Sequence, residues 1–411
     1  MRVLVIGSGA REHALCHALT NDPAVSDLHA APGNAGIAGL ATCHAVDVAD
    51  PAAVASLAAR LKADYVIIGP EIPLVAGAAD AVRALGIETF GPSKAAAQLE
   101  GSKAFANEVM AAASVATAAS ESFDDPDAAE SYLRATAGPY VVKDDGLAAG
   151  KGVVVTDDLE EAVAHARACA SSGRVVIEEC LTGPEVSLFA IVTDDGRIVP
   201  MVPAQDHKRV GDGDTGPNTG GMGAYSPLPW APHDLVERTT AEVLQPVVNE
   251  MAARGCPYTG LLYAGLMLTP DGIKVIEFNC RFGDPETQVV LARLKSPVTE
   301  LLRGAGEPVW SDDAAVTVVV AAEGYPEMPI TGAVITGLES ANAVPHVVAF
   351  HAGTATGPNA EVLSAGGRVL SVTAVGTTFE DARDSAYAAV GEISLAGSHH
   401  RTDIGHQALA P

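Results

Sequence analysis

The sequence predicts an α/β protein whose first unit contains a parallel sheet, and three observations support this fold class. Over residues 1 to about 100, short apolar strands alternate with helical patterns, which is typical of parallel strands joined by crossover helices. Hydrophobic residues make up 48% of the chain and aromatic residues only 4%, so Ala, Val, Leu and Ile must fill most of the core. The length of 411 residues indicates two to four domains.

The alternation divides the chain into four units. We predict a Rossmann-like unit over 1–101, a central unit over 102–120 and 189–325, a small unit over 121–188, and a small α+β unit over 326–411. In the first unit the pattern predicts strands at 3–6, 28–31, 45–48 and 65–68, and helices at 12–20, 52–61 and 73–85. In the small unit, a Gly-rich loop joins strands at 140–143 and 152–156 beside two helices, which suits a mobile lid.

Composition and charge narrow the class of function. Lys plus Arg is 25 and Asp plus Glu is 51, giving a net charge of −26, so the chain repels a phosphate backbone and we expect no nucleic-acid partner. None of the six Cys residues forms a Cys-x-x-Cys pair, which favours free thiols in a reducing compartment. No signal-peptide pattern or membrane-length apolar run is evident. We therefore expect a cytoplasmic enzyme that does not bind membranes.

The first candidate site follows the first strand, at Gly7-Ser8-Gly9-Ala10-Arg11-Glu12-His13. Glycines at this place let the backbone approach an anion at a helix N-terminus. A dinucleotide fingerprint needs a small residue where Glu12 stands and an acidic residue after the second strand, where this chain has residues 32–36, PGNAG. The pattern therefore favours a smaller phosphate ligand over NAD, with a plain tight turn as the equally simple alternative.

Two further motifs lie in the predicted lid. Lys143 ends a strand and Lys151 lies on the Gly-rich loop 146–152, so both could reach polyphosphate oxygens while backbone N–H groups of the loop donate to them. The loop is not a Walker A motif, because no Gly-Lys-Ser/Thr opens a helix, and an exposed hairpin with solvated lysines remains an alternative. Glu178, followed by Glu185, leaves the lid where a carboxylate could accept hydrogen bonds from a ribose; surface acids are the simpler reading.

Two motifs lie in the central unit. Residues 205–224 are dense in Gly and small polar groups, with Asp206 and Lys208 at the start, and a loop of this length in a compact domain is usually functional or disordered. Strand alternation places Glu277, Asn279 and Arg281 on one face. A carboxylate and an amide oxygen two residues apart suit Mg²⁺, and the arginine suits a developing anion, although a strand with a polar outer face would show the same pattern.

These motifs resemble those of ATP-grasp ligases, and several resemble the phosphoribosylamine–glycine ligase family in particular. The family-like stretches are 9–15 (GAREHAL), 32–36 (PGNAG), 101–103 (GSK), 205–226 and 281–288 (RFGDPETQ). They occur in order from residue 1 to about 404. The resemblance implies an ATP-grasp fold with a lid and the ATP-dependent ligation of glycine to 5-phosphoribosylamine. That reaction gives 5-phosphoribosylglycinamide, ADP and phosphate through glycyl phosphate, a step of purine biosynthesis.

The resemblance also implies residue roles and ligands. The cofactors would be ATP and Mg²⁺ (or Mn²⁺), the substrates small molecules, and the assembly a monomer or weak dimer. The residues implied to act in catalysis are Arg281, Lys143 and Asp206, the last as a candidate base. The residues implied to bind ATP are Lys103, Lys143, Gly146, Gly150, Lys151, Gly152, Glu178, Leu181 and Glu185, and those implied to bind metal are Glu277 and Asn279. The residues implied to bind glycine or phosphoribosylamine are Gly9, Arg11, Glu12, His13, Asn34, Asp206, Lys208, Asn218, Thr219, Gly220 and Arg281.

Two features depart from the family pattern, and two other functions compete with it. Only residues 170–174 join the lid helix to the next strand, where relatives have a longer segment, and Asp144 stands where relatives often have a small residue. A different ATP-grasp ligase or carboxylase of purine synthesis is the nearest alternative, against which residues 205–226 and 281–288 argue. A nucleotide-binding regulator would bind ATP without turnover, and it leaves Lys143, Glu277 and Asn279 unexplained as a set.

Overall fold

The computed structural model describes residues 1–146 and 152–409. Its first unit contains a five-stranded parallel sheet. Its strand order is β3-β2-β1-β4-β5, and every neighbouring pair is parallel, as predicted. Helices cover it because the buried strands are apolar on both faces. The elements are β1 Arg2–Gly7, α1 Ala10–Thr20, β2 Asp27–Pro32, β3 Thr42–Cys43, α2 Pro51–Leu61, β4 Tyr65–Ile68, α3 Glu71–Ala76, α4 Ala78–Arg83 and β5 Glu88–Phe90, with a 3₁₀ turn at Ile37–Gly39.

Two predicted elements of this unit are wrong. No strand forms at 45–48; instead the Asp47 side chain accepts from Ala49 N at 3.0 Å, which turns the chain toward α2, and the short edge strand lies earlier at β3. The predicted helix 73–85 is divided into α3 and α4 at Gly77, whose φ of +102° is left-handed. Glycine reaches that conformation without the clash of a Cβ atom, so it ends one helix and begins the next.

The lid has its own sheet and its own hydrophobic core. Its four antiparallel strands have the order β6-β9-β7-β8. The helices α7 and α8 pack against each other, α8 packs against β7, and α7 packs against β6. Leu133, Val142, Ala166 and Ile177 belong to this separate core. The lid and the segment leading into it comprise α5 Gln98–Gly101, α6 Lys103–Ala112, β6 Ser120–Phe123, α7 Pro126–Ala135, β7 Tyr140–Asp144, β8 Val153–Thr156, α8 Leu159–Ser172 and β9 Val175–Glu178.

The central unit is an antiparallel sheet of order β11-β10-β16-β17 that carries long buried strands. A register shift at Gly265/Leu266 lies opposite Glu277, and such bulges change the direction of a side chain. The elements between residues 185 and 302 are β10 Glu185–Val192, β11 Ile198–Pro200, β12 Gln205–Asp206, β13 Arg209–Gly211, β14 Thr215–Asn218, β15 Gly223–Ser226, α9 Leu235–Thr239, a π-helical turn Thr240–Leu244, α10 Gln245–Ala253, β16 Gly260–Thr269, β17 Gly272–Asn279, α11 Glu286–Ala292 and α12 Val298–Leu302.

The C-terminal unit shares a sheet with the central loop. Its elements are β18 Ala314–Ala321, β19 Val334–Ile335, α13 Leu338–Asn342, β20 Val347–His351, β21 Thr354–Thr356, β22 Val362–Ser364, β23 Arg368–Gly376, α14 Phe379–Glu392 and α15 His406–Leu409. The sheet order β12-β15-β18-β23-β20 is antiparallel throughout. Strand β18, which falls within the central unit as we divided the sequence, pairs with β15 on one side and β23 on the other. It therefore joins the loop over residues 205–224, called the glycine-rich loop from here on, to the C-terminal unit.

Capping side chains fix where several helices begin. Asp50, Ser102, Asp158 and Thr378 each accept a hydrogen bond from a backbone N–H in the first turn of α2, α6, α8 and α14. One such cap contributes about 1 kcal/mol to helix stability. Ser102 belongs to the family-like GSK motif, so part of that motif sets the orientation of α6 and of Lys103 at its first position. Among residues 1–146 and 152–409, no helix has the length and apolarity to cross a bilayer.

Candidate active site

The predicted site residues converge on one cavity of about 1060 Å³ at the meeting of the four units. Its walls come from the carboxyl edge of the first sheet, the lid strands, the strand β17 and the glycine-rich loop. The predicted residues that line it are Arg11, Lys103, Lys143, Gly146, Gly152, Glu178, Leu181, Glu185, Asp206, Lys208, Asn218, Thr219, Gly220, Glu277, Asn279 and Arg281. Gly150 and Lys151 lie outside the described residues.

Two lysines form the cationic end of the cavity. Lys143 Nζ lies 2.6 Å from Glu178 Oε2, with both side chains less than one tenth exposed, and 3.4 Å from the carbonyl of Ile276. Lys103 Nζ donates to the carbonyl of Gly146 at 3.1 Å. Burial lowers the pKa of Lys103, and the positive charge of Lys143 lowers it further against the opposing attraction of Glu277. Both ammonium groups therefore face the cavity at a point that favours an anion.

The two departures from the family pattern are accommodated locally in the lid. The Asp144 carboxylate accepts from Gly146 N at 3.1 Å, so its negative charge is engaged by the backbone at the start of the Gly-rich loop. The short connection after α8 leads directly into β9, and the carbonyl of Arg174 accepts from Asp145 N at 3.0 Å. The side chain of Arg174 pairs with Asp124 at 2.9 Å. The lid sheet is therefore complete without a longer connection.

Glu277 is an ionised carboxylate at the centre of the cavity wall. Burial alone would raise its pKa, but the cations Lys208, Lys143 and Arg281 outweigh that effect and hold the pKa of Glu277 below its ordinary value. A Cβ atom on Gly265 would lie 3.3 Å from Glu277 Cγ, so the absence of a side chain at Gly265 leaves room for the carboxylate. Asn279, two residues along the same strand, is buried and presents its amide to the same cavity.

Arg281 is held by acidic groups from two other elements. Its Nη2 lies 3.0 Å from Glu100 Oε1 and 3.2 Å from Asn279 Oδ1, and its Nε lies 3.4 Å from Glu71 Oε2. Burial opposes its charge, but Glu100 and Glu71 overcome burial and raise its pKa. Burial also raises the pKa of Glu100, which Arg281 opposes. Arg281 is thus a fixed cation that lines the cavity from the end of β17.

The glycine-rich loop contributes a carboxyl group, Asp206, and a cation, Lys208, to the cavity wall. Burial and the nearby negative charge of Glu286 raise the pKa of Asp206 well above its ordinary value, and among the described residues its buried Oδ1 has no hydrogen-bond partner. Lys208 Nζ pairs with Glu185 Oε2 at 2.7 Å, and Glu185 together with Glu277 raises the pKa of Lys208 against the effect of burial. A carboxyl with an open oxygen and a raised pKa can accept or release a proton more readily than an ordinary aspartate in a catalytic role.

Most of the substrate-binding residues predicted in the loops of the first unit do not line the cavity. Of these residues only Arg11 lines the cavity, within the part of the chain that the structure describes. Glu12 is 1% exposed, and its carboxylate accepts from Gly9 N at 2.6 Å and pairs with Arg11 Nε at 2.5 Å. Glu12 therefore supports the loop from behind and orients Arg11, whose Nη1 also donates to the carbonyl of Phe282 at 3.0 Å.

His13 and Asn34 connect the first unit to the C-terminal unit. His13 Nδ1 accepts from His351 N at 2.8 Å, and burial, with smaller effects of His351 and His17, lowers the pKa of His13 to about 3. The Asn34 amide donates to the carbonyls of Ser8 and His351, each at 2.8 Å, while its oxygen accepts from Gly36 N and Ile37 N. Both side chains thus hold the loop against the strand β20.

Comparison with known proteins assigns the family. Family models described as the N domain, the ATP-grasp (A) domain and the C domain of phosphoribosylglycinamide synthetase match residues 1–100, 101–287 and 315–407. A phosphoribosylamine–glycine ligase of Streptomyces coelicolor is 62% identical over 99% of both chains, and one of Mycobacterium leprae is 53% identical over 99% of this chain and 98% of its own. The chain belongs to the phosphoribosylamine–glycine ligase family.

A solved structure of the family has the same architecture. The phosphoribosylamine–glycine ligase of Thermotoga maritima is 32% identical in sequence and superposes with a TM-score of 0.84. The match covers 98% of this chain and 100% of the other. This match confirms the predicted α/β ATP-grasp fold class, and the family confirms that the chain is an ATP-dependent ligase that forms a carbon–nitrogen bond. Membership of the ATP-grasp group also implies the use of ATP and of a divalent metal ion.

The residues present fit that metal. Among the described residues no group of three or more His, Cys, Asp or Glu side chains could hold an ion by itself. Glu277 and Asn279 nevertheless offer one ionised carboxylate and one amide oxygen in the same wall. Such a sparse oxygen set suits a hard cation that keeps water and substrate phosphate ligands. Glu277 and Asn279 are therefore the residues that would hold it.

Sequence reasoning missed several groups of the family site. Glu71 and Glu100 pair with Arg281, and Arg368 on β23 donates to the carbonyl of Asp284 at 2.6 Å and to that of Gly220. Arg368 also lies 3.7 Å from the carboxylate of Asp284, and together with Arg11 it keeps the pKa of Asp284 low although burial acts to raise it. No local motif marks these residues, because their partners are distant in the chain. Only their charge in otherwise apolar stretches could have identified them.

Proposed function

We propose that this chain joins glycine to 5-phosphoribosylamine in purine biosynthesis, with cleavage of ATP to ADP and phosphate. The observation that carries the proposal is that one cavity brings together Lys103 and Lys143, the Glu277/Asn279 strand, and the Asp206 loop, in a chain that matches 99% of a family member's length. These are the groups that an ATP-driven amide synthesis needs: cations for phosphates, oxygens for a metal ion, and a carboxylate for a proton. The products are 5-phosphoribosylglycinamide, ADP and phosphate.

We assign the first half of the reaction to the lid side of the cavity. Lys103, Lys143 and the loop from Gly146 to Gly152, with Gly150 and Lys151, bind the phosphates, while Glu178, Leu181 and Glu185 bind the adenosine. A divalent ion held by Glu277 and Asn279 would withdraw negative charge from the phosphates. A glycine carboxylate oxygen attacks the γ-phosphorus, the bond to ADP breaks, and glycyl phosphate forms. Arg281 stabilises the charge that grows on the acyl group.

The second half is the attack of the amine on the acyl carbon. Phosphate then leaves with the former carboxylate oxygen, a far better leaving group than oxide. Asp206 takes the proton of the attacking amine in this proposal, since its raised pKa and open Oδ1 suit a base. Lys208, Asn218, Thr219 and Gly220 hold glycine. Arg11 contacts the ribosylamine, with Gly9, Glu12, His13 and Asn34 shaping the loop that presents it.

Several finer assignments belong to the same proposal. The metal ion is Mg²⁺, which Mn²⁺ can replace, because both accept oxygen ligands in octahedral sites. The protein works in the cytoplasm as a monomer or weak dimer. Its units are 1–101, the ATP-grasp core 102–120 with 189–325, the mobile lid 121–188, and the C-terminal unit 326–411.

Isotope transfer tests the mechanism directly. Glycine labelled with oxygen-18 in its carboxylate is incubated with ATP, the metal ion and freshly generated phosphoribosylamine. One labelled oxygen should appear in the released phosphate for each amide formed, because the oxygen that attacks the γ-phosphorus leaves with it. Label confined to the amide and to unreacted glycine would exclude an acyl phosphate. Phosphate release without amide formation under all conditions would exclude the ligase activity itself.

A further inference from the structure

The hairpin β13–β14 carries part of the cavity wall yet has little sheet support of its own. It forms a separate two-stranded sheet with a register shift between Arg209 and Gly211, and residues 212–217 are exposed. An isolated two-stranded hairpin is marginally stable in water. Lys208 precedes it, Asn218 ends it, and Thr219 and Gly220 follow it, so residues that line the cavity depend on where this hairpin lies.

The segment 401–405, close to the C-terminus, supplies the missing support. Arg401 is 1% exposed, and its Nη1 donates to Asp214 Oδ1 at 2.6 Å and to the carbonyl of Arg209 at 3.1 Å. Its Nε and Nη2 both donate to the carboxylate of Asp403 at 2.7 Å, and Asp403 in turn accepts from Gly213 N at 2.9 Å. A bidentate arginine–carboxylate pair fixes orientation as well as distance. Arg401 is therefore the centre of a bonded unit that encloses the hairpin turn.

Thr402 and Gly405 extend the contact to the turn of the hairpin and to the residues just before it. Thr402 binds the Asp212 carboxylate through its N at 2.8 Å and through its Oγ1 at 2.5 Å. Gly405 N donates to His207 Nε2 at 3.2 Å, just before the hairpin begins. His406 and Gln407, which come next, line the cavity themselves. The contacts join residues more than 180 positions apart in the chain, so they do not arise from local folding.

We propose that residues 401–407 are a positioning element for the substrate loop, with Arg401 as the positioning residue. Arg401 does not line the cavity and does not touch a substrate; it acts through Asp214 and the Arg209 carbonyl by holding the hairpin in register. His406 and Gln407 close the wall beside that hairpin. The inference rests on the proposed function in one respect, the assignment of this loop to glycine.

Hydrogen exchange and steady-state kinetics test the inference on the full chain. In Arg401→Gln, amides of 209–218 should exchange at least tenfold faster, and the KM for glycine should rise at least tenfold. Affinity for a non-hydrolysable ATP analogue should stay within twofold, because Lys103 and Lys143 lie on other elements. Arg401→Lys, which keeps the charge, should fall between the wild type and Arg401→Gln in both measurements. A general loss of packing would not produce that rescue.

A second variant and a control keep the result decisive if Arg401→Gln fails to fold. Thr402→Val removes one exposed hydroxyl bond to Asp212 and should raise hairpin exchange and the glycine KM about threefold each. Arg238→Gln breaks an exposed pair with Glu242 on α9 and should change neither. Unchanged hydrogen exchange in the hairpin would show that residues 401–407 do not hold it. Faster exchange with an unchanged KM for glycine would show that they do not position the substrate loop. If the wild type makes no amide, the proposed function is refuted. The exchange comparison would still show whether residues 401–407 hold the hairpin.

Discussion

The buried pair Lys143–Glu178 allows a structural role and a binding role to be separated quantitatively. The two residues lie on adjacent strands of the lid sheet, with Nζ and Oε2 2.6 Å apart and side chains 7% and 8% exposed. At an effective dielectric constant of about 20, that distance corresponds to an attraction of roughly 6 kcal/mol. Loss of hydration offsets much of this attraction. Removal of one partner costs about 3–5 kcal/mol, because the other charge is left buried and unpaired.

The predicted effect of Lys143→Met follows from the cost of leaving the Glu178 carboxylate buried without its partner. Native-state hydrogen exchange of β7 and β9 amides should accelerate by roughly two to four orders of magnitude if the lid sheet loses about 3–5 kcal/mol. In the double variant Lys143→Met/Glu178→Met no charge is left buried, so protection should return to within about 1 kcal/mol of the wild type. Binding of an ATP analogue, measured by calorimetry, should remain weaker by roughly 10- to 100-fold in both variants, since a hydrogen bond to a charged group is worth about 1.5–3 kcal/mol.

A matched control lies in the same lid. Arg174 pairs with Asp124 on the surface, and Arg174→Gln should change lid exchange and nucleotide affinity less than threefold, because water screens an exposed pair. Two results would refute the reasoning. Normal lid protection in Lys143→Met would show that the pair does not hold the sheet. Recovery of ATP affinity in the double variant would show that Lys143 acts only through the fold.

Three further predictions concern the metal, the amine substrate and pH. Glu277→Gln should lower kcat at least 100-fold with the fold intact, because it removes one charge and little volume. The matched variant Glu307→Gln, at an exposed residue that does not line the cavity, should stay near the wild type in a phosphate-release assay. Arg11→Ala should raise the KM for phosphoribosylamine far more than the KM for ATP in steady-state kinetics, and an effect confined to ATP would contradict its assignment. Burial lowers the pKa of His13 to about 3 and that of His351 to about 4, so the unfolded chain binds more protons below pH 6.5 and stability should decline from there toward pH 3. Urea unfolding between pH 7 and 5 should show that decline, and His13→Asn, which keeps an acceptor for His351 N, should flatten it; an equal slope in the variant would contradict the assignment to this histidine.

The sequence predicted those parts of the fold that follow from local pattern. Strands such as β4 and β7 are short runs rich in β-branched residues between turn-forming residues, and the structure has them within one residue of the predicted bounds. The strand expected at 45–48 failed for a local reason, since Asp47 turns the chain and removes its backbone from the ladder. Strand β18 was missed although its sequence, AAVTVVVA, contains seven apolar residues and one threonine after two aspartates. That signal is typical of a strand buried on both faces and could have been recognised.

The site residues that a local pattern marks were predicted, and those whose partners are distant in the chain were not. Glu277, Asn279 and Arg281 were found because strand alternation aligns them, and the lysines because glycine-rich turns surround them. The carboxylates that hold Arg281, by contrast, come from α3 and α5, and no spacing rule relates residues 71, 100 and 281. Arg401 likewise lies 187 positions from Asp214, its partner in the hairpin. Such pairings depend on how whole units pack, and a single sequence does not encode that packing in any short window.

The contacts of Arg281 explain why the cavity could not be assembled from motifs alone. Glu71 begins a helix of the first unit, Glu100 lies at the entrance to the central unit, and Asn279 ends the strand that also carries Glu277. One guanidinium thus ties the first sheet to the wall that would hold the metal, in a region where burial penalises every unpaired charge. If either carboxylate is lost, Arg281 keeps its charge but loses its fixed orientation. The reaction then depends on an ion-pair network that spans two units, so substitutions at Glu71 or Glu100 should impair the use of glycine although, in this proposal, neither residue contacts it.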